Sequence, residues 1–163
     1  MVETRFDALT VLEIGKEVER RGQAFYQEAA KIVADNKVKN MFLVLADDEA
    51  KHLQILETMG KRLQEAFPAF SAEEDVNKLA TRFKEVLFPD EPVIKMSATG
   101  KTSEIQALER GIQLEEESIK LYEGAAERDP SPGTGNAFRR LVMEERIHWY
   151  ILTRRLDLLK FRT

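Results

Sequence analysis

With 163 residues, 43% of them hydrophobic, the chain has the length of one domain and enough apolar surface for its own core. A net charge of −4 gives no support for a nucleic-acid-binding surface, the basic residues Arg154, Arg155, Lys160 and Arg162 being read as the end of a last helix, and the absence of cysteine excludes disulfides, thiolate-held metal and cysteine redox chemistry. The longest apolar run, residues 41–46, falls far short of the roughly 20 residues a membrane span needs, and no apolar signal segment opens the chain, so a soluble cytoplasmic protein is expected.

Apolar and small residues recur at alternating spacings of three and four, which predicts an all-α protein. The first helix is expected over residues 8–34, with Asp7 as its N-cap, and the second over 37–66. Asp35 and Asn36 alone separate them, so the pair folds back as an antiparallel hairpin, residues 8–66. Residues 67–102, with Pro68, Pro89 and Pro92, read as a long crossover carrying a short amphipathic helix over 73–88. A connection of that length lets the second and third long helices run parallel. Ser103 and Gln106 fit a capping box opening a third helix that continues to residue 128. The Pro/Gly-rich stretch 129–135 then turns the chain into a fourth helix over 136–161, completing a second hairpin, residues 103–161. One domain spanning 1–163 follows.

The two hairpins are copies. Displacing the chain on itself by 96 residues superposes Leu12, Gly15, Glu19, Tyr26, Ala29, Phe42, Leu45, Glu49, His52 and Leu56 on Leu108, Gly111, Glu115, Tyr122, Ala125, Phe138, Leu141, Glu145, His148 and Leu152 without a gap. Each copy thus carries Glu, then Glu-x-x-His thirty residues later. On the first helix the core stripe runs Leu12, Gly15, Glu19, Gly22, Tyr26, Ala29; on the second, Val38, Phe42, Leu45, Glu49, His52, Leu56. The carboxylates and imidazoles therefore occupy buried slots. Glu and His three apart share one helix face. Four carboxylates converging in an apolar interior cost several kcal/mol each to desolvate and repel one another, and two divalent cations neutralise them. Glu19, Glu49, His52, Glu115, Glu145 and His148 are the expected metal ligands, the four glutamates also carrying any catalysis through the metals. Gly15, Gly22, Gly111 and Ser118, a turn away, leave room beside them. Tyr26 and Tyr122, two turns beyond Glu19 and Glu115, are placed to bond a ligand carboxylate of a neighbouring helix or to satisfy their hydroxyls elsewhere in the core.

This constellation, Glu19, Glu49-x-x-His52, Glu115 and Glu145-x-x-His148 with the two tyrosines, resembles the di-iron carboxylate site of the ferritin-like superfamily. Within it the chain resembles the rubrerythrin-related group, and its symmetric ligand set is similar to that of bacterioferritin. The resemblance implies a ferritin-like four-helix bundle, two iron ions per protomer, and oxidation of Fe(II) by O2 or reduction of H2O2. Carboxylate and imidazole donors also suit Mn, and Zn can occupy such a site. Two departures stand out. The chain lacks the cysteine-held iron module of full rubrerythrins, so an external electron donor is expected, and Ser118 stands where rubrerythrin sites have an additional glutamate. Two functions fit: a di-iron oxidoreductase, ferroxidase or peroxidase in type, or an iron-sequestering storage protein without sustained turnover. Without the separate fifth helix of ferritin cages, a homodimer is the expected assembly.

Overall fold

A computed structural model describes residues 2–66, 101–129 and 132–161. Within them lie α1 (Val2–Ile32), α2 (Asn36–Ala66), α3 (Lys101–Arg128) and α4 (Thr134–Lys160), with no strand among the described residues. The crossover and the short helix expected over 73–88 lie outside the described residues.

Asp35 shapes the first hairpin. Its Oδ1 accepts from the Lys37 backbone N–H at 2.7 Å, so its side chain satisfies one of the donors that the first turn of α2 cannot pair internally. Two expected caps are corrected. Helix α1 begins at Val2, so Asp7 lies inside it, and no Gly or Pro stands between Val2 and Gly15 to stop it. Helix α3 begins at Lys101, which places Ser103 within the first turn and buries it. A cap contributes only about 1 kcal/mol, so a favourable helical continuation overrides the local signal.

Cross-helix contacts give the helix directions. Gly15 faces Leu56 and Gly22 faces Glu49, so α1 and α2 are antiparallel. Tyr26 meets Glu115 while Tyr122 meets Glu19, so α1 and α3 are antiparallel too. Helices α2 and α3 therefore run parallel. The bundle is the all-α, ferritin-like four-helix arrangement. The hairpins join chiefly through α1 against α3, whereas α2 and α4 meet more sparingly.

Two apolar clusters fill the interior. One gathers Tyr26, Ala29, Val38, Phe42, Leu45, Leu108 and Leu152, and the other Leu12, Leu56, Tyr122, Phe138 and Leu141. The internal repeat reappears in their detail, Tyr26 stacking on Phe42 at 5.9 Å and Tyr122 on Phe138 at 6.0 Å. Between the clusters lies a polar layer. No described helix is long and apolar enough to cross a membrane.

Candidate metal centre

Each helix contributes to the polar layer from its buried seam. Glu19 comes from α1, Glu49 and His52 from α2, Glu115 from α3, and Glu145 and His148 from α4; none is more than 4% exposed. The structure brings all six together as two overlapping groups, Glu19, Glu49, His52 and Glu145, and Glu49, Glu115, Glu145 and His148. Within each group one ligand atom per residue lies within 4.8 Å of the others. The overlap is informative. Glu49 and Glu145 belong to both groups, whereas the remaining four residues divide between them.

His52 turns Nδ1 inward, 3.0 Å from Glu145 Oε1 and 3.5 Å from Glu19 Oε2. His148 does the same, with Nδ1 3.1 Å from Glu145 Oε2 and 3.7 Å from Glu115 Oε1. The two rings lie nearly parallel, 5.5 Å apart. Glu19 Oε2, His52 Nδ1 and Glu145 Oε1 are buried without a well-aligned hydrogen bond, although Nδ1 and Glu145 Oε1 approach to 3.0 Å. Such orphaned atoms normally cost 1–3 kcal/mol or more, and these three converge within a single group. A cation coordinated there satisfies all three, so the donor set fits a metal.

Electrostatics agree. Burial pushes the Glu19 carboxyl well above the usual range, and neighbouring Glu49 pushes it further. Burial likewise raises Glu115, with the charges of Glu49 and Glu145 adding to it. Burial also acts on Glu49, but its neighbours Glu19, His148 and His52 outweigh it and hold the pKa at about 2. Burial opposes charge on the histidines, yet the surrounding carboxylates win, raising His148 to about 12 and His52 far above the imidazole range. Without metal, protons on the histidines supply the positive charge that balances the carboxylates.

The tyrosines cross the bundle. Tyr26 of α1 donates its hydroxyl hydrogen to Glu115 of α3, and Tyr122 of α3 donates to Glu19 of α1. Burial, reinforced by the carboxylates, raises both phenol pKa values, so the hydroxyls remain protonated donors. Glycine makes the crossing feasible. A Cβ on Gly15 would meet the Tyr122 ring at 3.2 Å, and one on Gly111 would meet the Tyr26 ring at 3.3 Å. Gly15→Val should therefore displace Tyr122 and lower stability by about 1–3 kcal/mol. Urea denaturation of the metal-free protein measures it; an unchanged midpoint would show that the ring has room to move.

Beside Glu49 and Glu115 lies a cavity of about 20 Å³, bordered by Gly22, Tyr26 and Ser118. It has room for one water-sized molecule. On the outer side, between α2 and α4, a groove of about 490 Å³ reaches His148 past Met41, Val44 and Ile147.

A model of the rubrerythrin family matches residues 10–156. The chain belongs to the rubrerythrin family. No curated protein matches significantly. Among solved structures, a hypothetical protein from Pyrococcus furiosus is similar at a TM-score of 0.63, with 19% identity over 93% of this chain and 89% of that one. That likeness is one of fold. Rubrerythrins typically bind iron, and the matched region contains both groups of candidate ligands.

Sequence reasoning missed Asp48 and Glu144. Glu144 Oε2 lies 2.9 Å from Nε2 of His52, and Asp48 Oδ2 lies 3.6 Å from Nε2 of His148, each carboxylate facing the histidine of the opposite helix. A signal existed, since the two acids are equivalent positions of the repeat, 96 residues apart.

Proposed function

We propose that this rubrerythrin-family chain is a non-haem di-iron carboxylate protein that oxidises Fe(II) with O2 or reduces H2O2. The observation that carries this reading is the pair of overlapping ligand groups sharing Glu49 and Glu145, with orphaned donor atoms in the interior. Glu19 and His52 would hold one ion, Glu115 and His148 the other, and Glu49 and Glu145 would serve both. Bound iron would supply two electrons to a small oxidant. The chain's own residues prepare the place: Tyr122 and Tyr26 orient Glu19 and Glu115, the apolar clusters exclude bulk water, and Gly22 and Ser118 border a cavity with room for one water-sized molecule. These 163 residues contain no cysteine to relay electrons inward, so a donor outside them would re-reduce the centre.

Anaerobic Fe(II) titration followed by rapid mixing with O2 or H2O2 tests the reading. Saturation at about two ions per chain is expected, the number suited to a pair sharing two carboxylates, followed by one fast oxidation and no cycling on NADH alone. Saturation at one ion, or continuous cycling without a reductase, would overturn it. Iron accumulating far beyond the pair would instead favour storage. Ser118→Val places a methyl group towards a cavity of only about 20 Å³ and should slow oxidation several-fold at unchanged iron stoichiometry. Oxidation at the parent rate would show that the oxidant enters elsewhere.

A further inference from the structure

The internal repeat gives the two candidate metal positions equivalent ligands, and the residues behind the histidines break that symmetry. His52 is fully buried, and its outward nitrogen Nε2 lies 2.9 Å from Glu144 Oε2. Glu144 is itself held, its Oε1 accepting from Arg140 Nε at 2.8 Å. His148 has the shorter aspartate in the equivalent place. Asp48 stops 3.6 Å from Nε2, beyond hydrogen-bond reach, and its other oxygen accepts from Lys51 at 2.7 Å. The surroundings differ in the same sense, because the groove between α2 and α4, which both Asp48 and Glu144 line, borders His148 itself but not His52. Of the three buried atoms without a well-aligned hydrogen bond, Glu19 Oε2 and His52 Nδ1 belong to the His52 group alone, and Glu145 Oε1 to a residue both groups share.

An acceptor on the outward nitrogen of a ligating imidazole fixes the ring and its tautomer and strengthens the inward nitrogen as a donor, and its loss typically costs 10–100-fold in metal affinity. Glu144, clamped by Arg140, provides this to His52. Asp48 does not provide it to His148. We propose that the two metal positions are unequal by design of these two residues: the Glu19/His52 position fills first and retains its ion, while the Glu115/His148 position, whose histidine borders the groove, exchanges. This rests on the metal-binding reading above and deepens it. A pair in which one ion stays and the other exchanges retains a partly assembled centre at limiting metal.

Anaerobic Co(II) titration tests this without turnover, using isothermal calorimetry for the affinities and the visible ligand-field bands for the coordination of each equivalent. The parent protein should bind Co(II) in two steps separated by 10–100-fold. Glu144→Ala should weaken the first step by a similar factor and alter its bands, while Glu144→Gln, whose amide oxygen still accepts an N–H, should restore much of it. Asp48→Glu, one methylene longer, should tighten the second step and bring the two together; Asp48→Ala should leave the first unchanged. Both positions are partly solvent-exposed, and circular dichroism of each metal-free variant checks that the bundle is intact. Two equal steps in the parent, equal weakening of both steps by Glu144→Ala in a folded variant, or no response of the second step to Asp48→Glu would overturn the proposal while leaving the metal reading in place. Failure of the parent to bind Co(II), Mn(II) or Fe(II) at all would overturn the reading itself.

Discussion

Glu49→Ala should reduce bound metal from about two ions per chain to less than one, a larger loss than removal of any residue confined to one group. Glu49 contributes an oxygen to both candidate groups, and Glu145 is the other residue that does so. Without Glu49 each ion loses a donor and the pair loses half of the negative charge shared between its members, so both positions weaken together. Glu19→Ala touches one group and should leave about one ion bound. Glu116→Ala, on the exposed side of α3, should leave both. Elemental analysis after anaerobic reconstitution and gel filtration distinguishes these results. If Glu49→Ala and Glu19→Ala each retained one ion, Glu49 would serve a single metal.

That sharing was not visible in the spacing. The repeat assigns one Glu-x-x-His to each half, and helical periodicity puts Glu49 and His52 on one buried face, but which carboxylate reaches across the bundle depends on the relative placement of four helices. The tyrosines show the same boundary. Their seam follows from the seven-residue step after Glu19 and Glu115, whereas the partners, Glu115 for Tyr26 and Glu19 for Tyr122, lie on another helix and depend on the antiparallel pairing of α1 with α3. Asp48 and Glu144 escaped because each immediately precedes a seam glutamate, and a 100° turn of helix directs it to the flank, where a carboxylate ordinarily meets solvent. Only the neighbouring helix supplies the histidine. The helix starts failed for the opposite reason: Asp7 and Ser103 are good local caps, and local preferences yield to a continuing helix. What was legible, the all-α class, the two hairpins and the six buried donors, was written twice in the chain. Duplication turns a weak three-residue motif into a pattern that a buried core has to accommodate.

Metal should stabilise the fold strongly, and increasingly so as pH rises from about 6 to 8. The sign follows from the protons that occupy the centre when metal does not. His148 has a folded pKa of about 12 against an ordinary value of 6.5, so its charged form stabilises the metal-free protein fully below about pH 6.5, and that contribution is lost as pH rises through about 12. His52 is raised in the same direction. Glu19 and Glu115 are also raised, so the metal-free fold loses stability above about pH 4.5 as their unfolded counterparts ionise more readily than the buried groups can. Coordination requires neutral imidazole and ionised carboxylate, so binding expels protons, at least one from each of the two histidines at pH 7. Affinity must then climb with pH. With free metal about 1,000-fold above its dissociation constant, one site adds about 4 kcal/mol, or roughly 8–16 °C in Tm for a chain of this size. Differential scanning calorimetry with and without Mn(II) at several pH values measures the shift, and calorimetric titration in buffers of different ionisation enthalpy counts the protons. A Tm shift that is flat or falling between pH 6 and 8, or binding that releases no protons, would mean that the histidines are already neutral in the metal-free centre and that the cluster is not held together by their charge.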